Sequence, residues 1–152
     1  VSVIQLRPYM PQEFQAIEWI AYASNVFNAL VPFYGAINET PDYLSNTTAE
    51  VSTDNFYWSN RLIAAMADAS YRHSAIHIER YQRNVMSKGH QILFEYDQLL
   101  QKEKDSTKQM TLKHEANQKI ADMLKKETSK TLNLVLNELS HSVKNAFARS
   151  DA

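Results

Sequence analysis

The chain has 152 residues, 44% of them hydrophobic, a formal net charge of -1 and a pI near 6.6. That length suits one domain, that hydrophobic fraction can supply a core, and that charge argues against nucleic acid or an anionic membrane as an obligatory partner. The absence of cysteine excludes disulfides, a thiolate metal cage and a cysteine nucleophile within these residues, and it fits synthesis in a reducing compartment, taken here as the cytoplasm. No run is long and apolar enough to span a bilayer, and no signal peptide is visible after Val1.

Composition divides the chain near residue 50. All four prolines (Pro8, Pro11, Pro32, Pro41) and eleven of the sixteen aromatic residues lie before residue 59. Proline-free sequence follows, which permits long helices. Residues 1–70 carry two basic and seven acidic side chains, whereas residues 71–152 carry fourteen and ten. The mild basic excess of the second part is interspersed with acids and reads as a solvated helical surface.

In chain order, Ser2 to Leu6 is apolar and β-branched and stops at Pro8, so it is expected to form a short strand. Residues 17–22 are rich in strand formers, and Phe27 to Tyr34 extends or repeats that strand. Two or three strands do not make a stable sheet alone, a first sign that a larger sheet is involved. Residues 35–52 read as a loop through Gly35, Asn38, Thr40-Pro41-Asp42 and Asn46-Thr47-Thr48. Ser52 or Thr53 is the expected cap of a helix over Asp54 to Ala69, with Phe56, Leu62, Ile63 and Met66 on its apolar side. A second helix is expected over Arg72 to Gln101, because Ile78, Tyr81, Val85, Gly89, Ile92, Tyr96 and Leu99 recur at steps of three and four. Gly89 on that stripe would admit another element closely. The polar run Lys102 to Lys108 should break the helix. A third helix is expected over Thr111 to Phe147, with Ile120, Leu124, Thr131, Val135, Leu139, Val143 and Phe147 on one face and a bend or register change at Thr128-Ser129. The expected class is therefore α+β and predominantly helical, a single unit with a strand region at 1–34, a loop at 35–52 and a helical region at 53–152.

Chemistry-bearing motifs are sparse. His73 and His77 share a helix face, but the glutamate that would follow the first histidine in a zinc peptidase is absent and no third ligand stands near in sequence, so no metal site is assigned. Ser2 is preceded by Val1 and reads as a strand residue. Glu18 beside Trp19 reads as an edge-exposed carboxylate. Two glycines in all cannot build a phosphate loop or a dinucleotide fingerprint, so no cofactor is expected. The two matches to the N-glycosylation pattern, at Asn38 and Asn46, read as chance.

One set of residues is more specific. Glu18-Trp19-Ile20-Ala21, Asn25 to Tyr34 (NVFNALVPFY), Thr40-Pro41-Asp42-Tyr43 and Ser52 to Leu62 (STDNFYWSNRL) together resemble the C-terminal region of the dipeptidase A family, bacterial cysteine-type dipeptidases of the N-terminal-nucleophile hydrolase clan. The resemblance covers roughly residues 1–100. It implies a parent with a four-layer αββα fold and a cysteine at its mature N-terminus, whose own amino group acts as base. That cysteine would lie upstream of Val1, so no catalytic residue is carried over to this chain, which is expected to be inactive alone. The implied partners are the missing N-terminal part of the same enzyme, a dipeptide substrate and a possible second copy, with no nucleic acid and no membrane. Asn25 and Asn28, at or beyond a strand end beside Phe27 and Tyr34, are the candidate substrate-binding residues. The competing reading is an independent helical module that binds a protein partner without catalysis.

Overall fold

A computed structural model describes residues 1–24 and 26–143. Three antiparallel strands, β1 (Ser2–Leu6), β2 (Ala16–Ile20) and β3 (Val31–Tyr34), form one sheet in the order β1-β2-β3. A four-residue helix α1 (Asp42–Ser45) follows, then α2 (Phe56–Ala69), α3 (Tyr71–Lys102) and α4 (Ser106–His141). The class is thus α+β and mostly helical, as the sequence implies.

The sheet has unequal edges. Ser2 pairs with Ile20 and Leu6 with Ala16, and backbone bonds join Arg7 N–H to Gln15 C=O and Ala21 N–H to Val1 C=O. Antiparallel alternation then turns the N–H and C=O groups of Ser2, Ile4 and Leu6 outward, with no further strand among the described residues. Every residue of β1 is exposed, Ile4 and Leu6 by 69% and 67%. The opposite edge is closed. Pro32, which has no N–H to donate, sits on the outward side of β3. Tyr34 N–H donates to Asn117 Oδ1 at 2.8 Å, and Asn117 Nδ2 donates back to Tyr34 C=O at 3.0 Å. A side chain of α4 therefore stands in for a fourth strand.

The inner side of the sheet, Ile17, Trp19, Pro32 and Tyr34, is buried against the helices. A Cβ at Gly89 would come within 2.8 Å of the Pro32 ring, so the strand approaches α3 where the helix lacks a side chain. The Trp19 and His90 rings lie 5.0 Å apart. Arg7 is 5% exposed and donates to both carboxylate oxygens of Asp97, while Tyr34 Oη donates to the same carboxylate. This pins the end of β1 and the end of β3 to α3. Burial first, and then the Asp97 carboxylate, push the Tyr34 hydroxyl well above its ordinary pKa, so it acts only as a neutral donor.

The helices α3 and α4 form an antiparallel hairpin across a three-residue link, with Asp105 Oδ1 accepting from Thr107 N–H and Lys108 N–H as the cap of α4. Tyr81 Oη bonds Thr128 Oγ1 at 2.9 Å and Asn60 Oδ1 at 3.3 Å, tying α2, α3 and α4 through one buried hydroxyl.

Several boundaries differ from expectation. The segment 35–52 contains α1, begun where Pro41 fixes φ at -53°. The cap of α2 is Asn55, whose side chain accepts from Trp58 N–H at 2.9 Å, and not Ser52 or Thr53, so the helix starts at Phe56. The third strand is confined to Val31–Tyr34, because residues 26–30 before it are a turn-rich connection. The break after α3 spans only Glu103 to Asp105, and α4 begins five residues before Thr111. It runs through Thr128 without a break, since that hydroxyl engages Tyr81. Leu99 is exposed and Leu100 buried, and Val143 is exposed. Phe147 lies outside the described residues.

Candidate functional site

The connection between β2 and β3 is a constrained irregular segment. Ala23 has φ 59°, a left-handed conformation that costs an L-residue about 1–2 kcal/mol. The segment is held by amides. Asn28 Nδ2 donates to Tyr22 C=O, Ala29 N–H donates to Asn28 Oδ1 at 2.7 Å, and Gln82 Nε2 on α3 donates to the carbonyls of Val26 and Asn28, both at 3.0 Å. Phe27 packs into a second apolar cluster with Ile63, Ala67, Ile78 and Val135 and meets the Tyr71 ring edge-on at 6.4 Å. Strain at one residue, surrounded by contacts that fix it, is a pattern common at binding sites.

This loop forms one wall of a groove across α2. The groove has a volume of about 360 Å³ and is lined by Ser24 and Phe27 from the loop and by Arg61, Ala64, Ala65 and Asp68 from the helix. Those four helix positions follow the three-and-four spacing of a single face. Alanines form the floor, and the two charges stand at either end. Among the described residues neither Arg61 nor Asp68 has an ion-pair partner.

Of the residues expected to bind substrate, Asn28 is 3% exposed, and its amide is engaged by backbone as above. It shapes the loop from inside. Asn25 lies outside the described residues. A second cleft, of about 160 Å³, opens on the outer side of the sheet between Glu18, Ile20 and Phe33 and the segment around Pro41 and Leu44. There Ser2 Oγ donates to Glu18 Oε1 at 2.7 Å. Burial, and then the Glu18 charge, raise the Tyr22 hydroxyl pKa. His77 bonds Glu138 at 3.1 Å, and no group of three His, Cys, Asp or Glu side chains among the described residues could hold a metal ion.

Residues 1–84, which carry the sheet, the loop and the whole of α2, match the sequence profile of peptidase family C69. The chain belongs to peptidase family C69. It is 43% identical over 151 residues to the probable dipeptidase A of Streptococcus pyogenes serotype M18 (strain MGAS8232), covering 99% of this chain and 31% of that protein. It is 35% identical to a dipeptidase of Bifidobacterium longum (strain NCC 2705), covering 99% of this chain and 35% of that protein. Dipeptidase A of Lactobacillus helveticus is 27% identical over 136 residues. The chain thus spans about a third of the length of the curated relatives it matches.

Within this C69 chain, the residues that sequence reading passed over are Arg61 and Asp68. On a helix drawn from sequence they are two surface charges seven positions apart, and only the loop folded over α2 makes them the ends of one groove. The seven-residue interval was the available signal, but it is indistinguishable from ordinary solvated helix. No helix among the described residues is long and apolar enough to cross a membrane.

Proposed function

We propose that this chain is the C-terminal portion of a cytoplasmic dipeptidase whose catalytic cysteine lies upstream of Val1. The reading is carried by its similarity to proteins named dipeptidase along 99% of its own length but about a third of theirs. In the proposed enzyme the upstream cysteine, at the mature N-terminus of an αββα parent, attacks the peptide carbonyl with its own amino group as base. The present chain supplies part of a sheet, its helical cover and a wall of the substrate cleft. Asn28 acts there by holding the loop of residues 22–30 in shape.

The open edge of β1 supports this reading. Its outward N–H and C=O groups and its exposed Ile4 and Leu6 suit pairing with a further strand of the same enzyme, whereas an independent module would be expected to protect such an edge. The test is dipeptide hydrolysis by this chain alone and after co-expression with a cysteine-bearing upstream segment, with light scattering to follow assembly. Activity only in the combination, lost when the upstream cysteine is replaced by alanine, is the expected result. Hydrolysis by the chain alone, or a stable monomer that never complements, would overturn the reading. The second outcome would favour a separate protein-binding module.

A further inference from the structure

We propose that the groove across α2 seats a zwitterionic dipeptide, with Arg61 holding its carboxylate and Asp68 its ammonium group. This assignment rests on the dipeptidase reading and names the residues by which such an enzyme would measure both ends of its substrate.

Three observations carry it. The groove volume, about 360 Å³, falls within the range of small-molecule sites. Its two charges are opposite in sign, exposed and without ion-pair partners among the described residues. Their spacing suits the ligand. Seven residues of α-helix advance about 10.5 Å, more than the roughly 7 Å that a fully extended dipeptide spans at most. A third residue adds about 3.5 Å and takes the extended chain to about the full 10.5 Å, which leaves no length for a charged contact at its ends.

The placement of Asp68 is hard to explain by stability. It lies in the last turn of α2, where no basic residue accompanies it. A negative charge there opposes the helix dipole, which favours cations at that end. A ligand ammonium beside Asp68 and a ligand carboxylate toward the N-terminal half of the helix restore the favourable sense. The floor is compatible with a ligand backbone, since Ala64 and Ala65 carry only a methyl group each. Phe27 supplies an apolar wall for a substrate side chain, and Ser24 supplies a hydroxyl that can donate or accept.

The experiment uses the full-length enzyme with three probes: L-leucyl-L-leucine, its C-terminal amide and its N-acetyl derivative. Poorly cleaved probes are measured as competitive inhibitors. Arg61→Gln is expected to raise the KM for L-leucyl-L-leucine about tenfold or more, the worth of one charged hydrogen bond, with kcat little changed. It should leave affinity for the amide unaltered, because that probe has no carboxylate to lose. Asp68→Asn should mirror this, weakening L-leucyl-L-leucine and sparing the N-acetyl derivative. Both side chains are exposed, so both variants should fold, which melting curves confirm. Unchanged KM in both variants, or an equal loss for all three probes, overturns the groove while the dipeptidase reading stands. If the unmodified full-length protein hydrolyses no dipeptide, that reading falls instead. Calorimetric titration of L-leucyl-L-leucine into the same proteins then decides the groove: binding weakened in both variants supports it, and absent or undiminished binding overturns it.

Discussion

Asn117 offers the sharpest test of how this fold is closed. Its side chain is 1% exposed and bonds both the N–H and the C=O of Tyr34, itself 1% exposed. Asn117→Ala removes one donor and one acceptor and leaves two buried backbone groups without partners. At about 1–3 kcal/mol for each orphaned group, the loss is about 2–4 kcal/mol, toward the lower end because some water can enter the vacated space. For a domain of this size that corresponds to a fall in Tm of roughly 5–15 °C. Asn117→Asp supplies a control with its own sign. A carboxylate still accepts from Tyr34 N–H but cannot donate to Tyr34 C=O, and it buries a charge, so the variant is destabilised at neutral pH. Once protonated, the carboxyl has one donor and one acceptor again, and part of the deficit relative to the unmodified chain should disappear as the pH falls toward 4. Urea unfolding at neutral and mildly acidic pH reads both effects. A loss below about 0.5 kcal/mol for Asn117→Ala, within the range of an ordinary surface change, would refute the idea that this amide closes the sheet.

Other positions give independent checks. Gly89→Ala gains about 1 kcal/mol of helix propensity but places a methyl within 2.8 Å of the Pro32 ring, which is fixed to the strand backbone. Overpacking of about 1–3 kcal/mol should win, and calorimetry should show a lower Tm rather than a higher one. Burial pushes the Glu127 carboxyl up, but Lys88 and Asn84 outweigh that and hold it below the ordinary carboxylate range. Its contribution is therefore present above the unfolded pKa and lost as pH falls through the depressed folded value. Lys88→Met leaves burial opposed only by Asn84 and Lys130, so the deficit measured by urea unfolding should be largest near neutral pH and shrink in acid. On the open strand, Ile4→Lys with Leu6→Lys should reduce self-association of the isolated chain in light scattering and abolish complementation by the upstream segment.

The long helices were legible because their evidence is periodic. Ile78, Tyr81, Val85, Gly89 and Ile92 all fall on the buried face of α3, and Gly89 marks a close approach, made by Pro32. The stripe drifts by the last two turns, where Leu100 replaces Leu99, because 3.6 residues per turn do not keep step with a fixed three-and-four pattern. The cap of α2 was not legible: Ser52, Thr53 and Asn55 are all competent, and the path of the preceding loop selects Asn55. Asn28 was expected at or beyond a strand end as a substrate-binding residue and lies in the turn before β3, and no sequence rule says whether an asparagine amide faces a ligand or its own backbone. Arg61 and Asp68 are the converse case. Their residue types and spacing are ordinary for a solvated helix, and their significance depends on a loop thirty-odd positions earlier in the chain.

The two unequal sheet edges and the groove bear on one another. Asn117 closes the β3 edge from within the chain, whereas the β1 edge offers outward backbone groups and exposed apolar side chains. A further strand therefore has one place to add, beside β1, and growth on that side leaves β3, the loop after β2 and α2 undisturbed. The groove lies at the end of the sheet where β2 hands over to β3, and the contacts that fix its wall, from Gln82, Asn28 and Phe27, are all made within this chain. On the proposed reading, the part that binds substrate can be complete here while the part that cleaves it is supplied by the rest of the enzyme. On that division of labour, the isolated chain should retain the shape of its binding wall even where it has no catalytic power.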